Sequence, residues 1–129
     1  MTNEEGRTGQ ATGLSRRHSP TGLRRFAAGL MVLSGVTHVA QLAVYGAAHS
    51  VVGAALFGAV YFVIGLFLWG RGRIALILGA VLPAIGGALG VVRFLYVQPN
   101  PFSVFHVAID LLVVPVCVYL LVRGEACET

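Results

Sequence analysis

Five side chains in this sequence carry the chemistry worth following: His38, Gln41, Arg93, His106 and Asp110. Each stands inside a run of apolar residues. Ionisable groups are costly in hydrocarbon, so they face a protein interior or a cavity there. Imidazole, carboxyl and guanidinium groups in such a place exchange protons or grip carbonyl oxygens. Asp110 and Arg93 have opposite charges and are the only members of that pair of types within the apolar runs, so an ion pair between them is expected. His106 and Asp110 are four residues apart on one helix. That spacing lets them hydrogen-bond and fixes the imidazole orientation.

The spacing around these residues is helical. Ser34, His38, Gln41 and Tyr45 follow at steps of four, three and four. Ser103, His106, Asp110, Val113 and Cys117 do the same at three, four, three and four. Gly79, Pro83, Gly86, Gly90 and Arg93 form a third stripe, and Ala54, Gly58, Tyr61 and Gly65 a fourth. Residues at such steps share one helix face. Glycines in the stripe let another backbone come close, so Arg93 continues a protein-facing seam. At 1.5 Å per residue, His38 lies roughly 10 Å from its helix end, Asp110 roughly 12 Å, and His106 and Arg93 roughly 6 Å. All four depths fall in the same, outer half of a bundle.

Four apolar segments must position these groups: about 26–45, 51–69, 74–97 and 102–122. Each approaches the ~20 residues that cross the hydrocarbon of a bilayer. The links between them are short, which predicts an all-α, integral membrane, antiparallel four-helix bundle over residues 23–124. Residues 1–22 read as a polar, disordered tail and 125–129 as a short second tail. In the third link, Asn100 is placed to cap the fourth helix, with Pro101 at its first position.

Composition agrees. The chain has 129 residues, of which 57% are apolar and 11% charged, with a mean hydropathy of +0.83. Soluble domains carry about 25% charged residues. A soluble enzyme, a nucleic-acid binder and a disordered protein are thereby excluded. The formal charge of +4 comes from nine arginines against five acidic residues; all the arginines but Arg93 edge the apolar runs, and they are not interleaved with aromatics. Arg16, Arg17, Arg24 and Arg25 precede the first run, Arg71 and Arg73 separate the second from the third, and Arg123 follows the fourth. The other two links hold no basic residue. This arrangement predicts cytoplasmic N- and C-termini and a multi-pass protein of the plasma membrane of a prokaryotic-type cell.

Other features have plainer readings. A basic start and the small residues Gly46-Ala47-Ala48 give the first segment a likeness to a signal peptide. Its apolar run is too long for one and contains His38 and Gln41. Cys117 and Cys127 show neither disulfide nor metal spacing. Tyr45, Trp69 and Tyr96 fit an interfacial aromatic belt. Gly86 and Gly90 offer either a homodimer seam or close packing within the bundle. Pro83 and Pro115 fall inside spans, where kinks are tolerated. No nucleotide loop, zinc motif or nucleophile elbow is present.

The run Gly-Leu-x-x-Leu-Ser-Gly-Val-x-His at Gly29–His38, behind an Arg-flanked start, resembles the DoxX-like group of small four-helix membrane proteins. The Gly-rich second segment ending in Gly70-Arg71-Gly72-Arg73 belongs to the same likeness, which spans about residues 24–122. Members of that group are similar to a small subunit of a thiosulfate:quinone oxidoreductase. The resemblance therefore implies a four-helix membrane fold and a quinone-side role. Asp110 and the segment 100–106 are outside any motif of that group. A four-helix drug/proton exporter is excluded, because those proteins use a membrane-embedded Glu in the first helix.

Three readings of the polar cluster stand side by side. It holds helices in register, as in a structural or accessory subunit with a membrane protein partner. Alternatively, His38, Gln41, Tyr45, Arg93, His106 and Asp110 form a site for a quinone, another small ligand or protons, reached from the outer face. In the third reading His38 and His106 hold haem or a metal, with His49 as a further ligand.

Overall fold

The computed structural model describes residues 20–97 and 99–125. The tail expected over residues 1–19, Gln98 of the third link, and residues 126–129 with Cys127 lie outside the described residues. Four helices follow in order: α1 Pro20–Tyr45, α2 His49–Leu68, α3 Arg73–Tyr96 and α4 Pro101–Glu125. All four are long and apolar enough to cross a membrane. Leu56, Phe67, Ile74, Leu95 and Leu111 are largely exposed on their outer faces, which suits lipid contact.

The helix ends follow from local chemistry. α1 begins at Pro20 rather than Phe26, so residues 20–22 are helical and not tail. Proline suits a first helical position, and arginine is a good helix former, so Arg24 and Arg25 continue the helix inward. α1 stops where Gly46 takes φ +72° and donates its N–H to the Leu42 carbonyl at 3.0 Å. Only glycine adopts that conformation without steric cost. α2 opens at His49, which is helical and exposed rather than part of the link. Asn100 caps α4 as its spacing predicts: its Oδ1 accepts from the Ser103 N–H at 2.8 Å. Pro83 and Pro115 lie within helices that run on through them.

Arg24 does more than edge a span. Its Nε donates to the Leu68 carbonyl at 2.8 Å and its Nη2 to the Gly72 carbonyl at 2.6 Å. Carbonyls at a helix C-terminus lack intrahelical donors, and a cation there also suits the helix dipole. One guanidinium thus fastens the start of α1 to the end of α2 and the link beyond it. Arg24→Ala is expected to lower stability by about 1–3 kcal/mol, the range for hydrogen bonds to charged groups. Arg24→Lys should recover only part, because an ammonium lacks the planar fork. Denaturant unfolding in detergent micelles measures both.

The core is built from Ala27, Ala28 and Met31 of α1, Tyr61, Ile64 and Leu68 of α2, Ala75, Leu76 and Ala80 of α3, and Ile109, Val113, Cys117 and Leu120 of α4. Packing is most extensive between α1 and α2 and between α3 and α4. At the α1–α2 contact, backbone approaches backbone. A Cβ on Gly35 would stand 2.7 Å from the Gly58 carbonyl oxygen and the Phe62 nitrogen, and one on Gly58 would run into the His38 Cβ. On α3, the space beside Gly86 is taken by Phe57 and Tyr61, beside Gly90 by Val107, and beside Gly79 by Cys117 and Leu68. The space beside Gly86 and Gly90 is therefore taken up from within the chain, in keeping with close packing inside the bundle.

Candidate functional site

A cavity of ≈ 240 Å³ lies among the four helices. α1 contributes His38 and Gln41 to its wall, α2 Gly53, Ala54, Phe57 and Tyr61, α3 Gly86, Leu89, Gly90 and Arg93, and α4 Ser103, His106 and Asp110. Five of the six side chains singled out from the sequence therefore meet around one space. Tyr45 does not. It is exposed, and its ring meets Phe102 edge-on at 5.8 Å, bracing α1 against α4.

The expected Arg93–Asp110 ion pair is not formed. Arg93 instead sends Nη1 to the Ser50 carbonyl at 3.2 Å, spanning from α3 to the start of α2. Its position near the end of α3 gives the long side chain that reach. Its Nε is buried without a hydrogen-bond partner. Asp110 is 4% exposed, and its Oδ1 is likewise buried and unpartnered. The Tyr61 hydroxyl interacts with the Asp110 carboxyl and also donates to the Leu82 carbonyl at 3.3 Å. Tyr61 belongs to the site although the sequence marked it only as part of a small-residue face. A hydroxyl three and four residues from two glycines, Gly58 and Gly65, on one stripe was the available signal.

The histidines form a second unit. His38 and His106 stack face to face, with centroids 3.6 Å apart and planes 8° from parallel. Tyr61 meets His38 edge-on at 5.9 Å. Gln41 Nε2 donates to His38 Nδ1 at 3.4 Å, an arrangement that leaves the His38 proton on Nε2. Contrary to the expectation from their spacing, His106 does not bond Asp110. Its Nε2 lies 2.9 Å from Thr37 Oγ1, and its ring faces the carbonyls of Phe102 and Ser34. The Thr37 hydroxyl is also 2.9 Å from the Leu33 carbonyl and 3.0 Å from that of Ser34. When its single proton goes to either carbonyl, His106 Nε2–H donates to Thr37. Thr37 was missed because it lies one position off the α1 stripe, on the side where α4 packs.

This geometry does not suit haem or a metal held between the two histidines. Imidazole lone pairs lie in the ring plane, and metal–nitrogen bonds run at about 2.0–2.1 Å. Parallel rings stacked at 3.6 Å point their lone pairs side by side and leave no room for a macrocycle between them. His49 is exposed at the start of α2 and lines no part of the cavity. Among the described residues no three His, Cys, Asp or Glu side chains gather as a metal site.

The arrangement offers both kinds of hydrogen-bonding group at one space: an unused N–H on Arg93 and an unused oxygen on Asp110. A buried polar atom without a partner costs about 1–3 kcal/mol; Ser34 Oγ, which does not line the cavity, is a third such atom. A dry cavity of about 150 Å³ already admits one benzene ring. The cavity here is larger by roughly half, a volume that would accommodate one substituted ring. No protein-family model, no curated protein and no solved structure matches this chain.

Proposed function

We propose that this chain is a multi-pass protein of a prokaryotic-type plasma membrane whose outer-half cavity binds the ring of a quinone, as an accessory to a membrane redox partner. The observation that carries this reading is the pair of buried, unpartnered atoms, Arg93 Nε and Asp110 Oδ1, on one ring-sized cavity. A quinone carbonyl accepts from the guanidinium N–H, and a quinol hydroxyl donates to the carboxylate. The aromatic faces of Phe57, Tyr61 and the histidine pair supply apolar walls for a flat ring. Electron transfer itself belongs to the partner protein, and this chain's own residues bind and orient the ring.

Topology enters the same reading. Contacts such as Arg24 with Gly72, Gly35 with Gly58, and Tyr45 with Phe102 support an antiparallel, up-down-up-down order. In that order Arg24, Arg25, Arg71 and Arg73 gather at one end, which supports cytoplasmic termini and a cavity in the outer half. The DoxX-like resemblance points the same way. Its Gly29–His38 run holds Gly35 at the α1–α2 contact and His38 in the stack.

The test is equilibrium binding of a tailless benzoquinone to the full chain in lipid nanodiscs. Binding should saturate at one ligand per chain, and Asp110→Asn or Arg93→Gln should each weaken it about tenfold or more, the loss of one charge-assisted hydrogen bond. Absence of saturable binding to the unaltered chain overturns the reading.

A second reading rests on a separate observation. The His38–His106 stack and the Thr37–His106 hydrogen bond span α1 and α4 directly. In that reading the histidines serve as a brace between these helices, and the polar cluster of an accessory subunit is structural. The two readings divide the residues rather than compete for all of them: the brace concerns the histidines, the binding concerns Asp110 and Arg93.

A further inference from the structure

The cavity is not closed on all sides. α2 and α3 are consecutive in the chain, yet of the neighbouring helix pairs they share the smallest contact. They touch where Leu68 covers Gly79 and where Tyr61 and Phe57 cover Gly86. They also meet where the Tyr61 hydroxyl donates to the Leu82 carbonyl and where Arg93 donates to the Ser50 carbonyl. Between Ser50 and Phe57 the axis of α2 runs roughly 10 Å, at 1.5 Å per residue. Over that stretch the facing residues are Gly53 and Ala54 on α2 and Leu89 and Gly90 on α3, and all four line the cavity. Gly53 is exposed, and a Cβ built on it meets nothing within 4 Å. Leu89 is 58% exposed. The cavity wall is thus a slot between two helices, with small residues on one lip and a single movable leucine on the other.

Both lips belong to helices apolar enough to lie within the bilayer. An opening at that height faces hydrocarbon and not water. Its polar groups lie at the far side: Asp110 comes from α4, across the cavity from Gly53. We propose that the cavity is loaded sideways from the bilayer, through the slot between α2 and α3. Its ligand is then a lipid-dissolved amphiphile, a single polar ring on an apolar tail. The ring sits against Asp110 and Arg93, and the tail leaves across Gly53 into the lipid. The hydrogen bond from Arg93 to Ser50 closes one end of the slot and sets its length. This inference rests on the ring-binding reading above, and it adds the route and the tail.

The experiment uses the full chain in nanodiscs and two probes, a tailless benzoquinone and the same ring carrying a decyl tail. Gly53→Leu puts a side chain into open space at the mouth, and Leu89→Trp narrows it from the other lip. Gly29→Leu is the control, because Gly29 also has nothing within 4 Å of a built Cβ and does not line the cavity. Either mouth variant should weaken the decyl quinone about tenfold more than it weakens the tailless ring. The control should change neither. If both mouth variants leave the decyl quinone bound as before, the lateral route is overturned. The same holds if both probes are weakened equally with the fold intact by circular dichroism. If the unaltered chain binds neither probe, the ring-binding reading itself falls, and the route with it.

Discussion

Asp110→Leu is expected to make the protein more stable and to end ligand binding. The two effects have one cause. The carboxyl is 4% exposed, and one of its oxygens has no hydrogen-bond partner. Leaving such an atom buried costs about 1–3 kcal/mol, and leucine removes that cost while filling part of the cavity with apolar volume. The Tyr61 hydroxyl, which shares the carboxyl, keeps the Leu82 carbonyl as its acceptor. Substitution therefore orphans no neighbour. Stability should rise by about 1–2 kcal/mol in denaturant unfolding, and quinone binding should fall below detection. A purely structural Asp110 gives the opposite sign: loss of stability on substitution. Opposed changes in stability and binding are the usual mark of a residue kept for function.

Gly35→Leu is expected to be strongly destabilising, costing more than about 3 kcal/mol. A Cβ there stands 2.7 Å from two backbone atoms of α2, the Gly58 oxygen and the Phe62 nitrogen. Side chains can rotate away from such an intrusion, but backbone in a helix cannot. α1 and α2 would have to separate by a large fraction of a side-chain diameter, and with them His38 would leave His106. Steady-state abundance in membranes and unfolding in micelles both report the loss. Gly53→Leu, on the same class of residue in open space, should leave abundance unchanged. The contrast between two glycine substitutions locates the effect in the close contact and not in glycine as such.

Much of the site was legible because helices are periodic. Ser103, His106 and Asp110 recur at helical steps, as do His38 and Gln41, so a common face follows from the residue numbers alone. What periodicity does not carry is the offset between neighbouring helices. The glycine contacts at Gly35, Gly58 and Gly65 set that offset between α1 and α2, and the packing of α4 on α1 brings Thr37, one step off the stripe, to His106. Opposite charge predicted an Arg93–Asp110 pair. The side chain of Arg93 is long enough to choose between targets, and a carbonyl at the start of α2 lies nearer its path. The start of α1 was placed too late for a related reason. Arginines were read as the edge of a span, whereas Arg24 lies within the helix and folds back on α2.

The strongest contacts join α1 to α2 and α3 to α4, and the cavity takes its wall from all four helices. Neither half of the chain owns the site. His38 and Tyr61 come from the first pair, Arg93 and Asp110 from the second, and they share a space only when the pairs are docked. A molecule held there stabilises the docked state over the undocked one by an amount fixed by its own affinity and concentration. On the ring-binding proposal, occupancy of the site is then also a measure of assembly: a membrane rich in the ligand would hold more of this protein together than one without it.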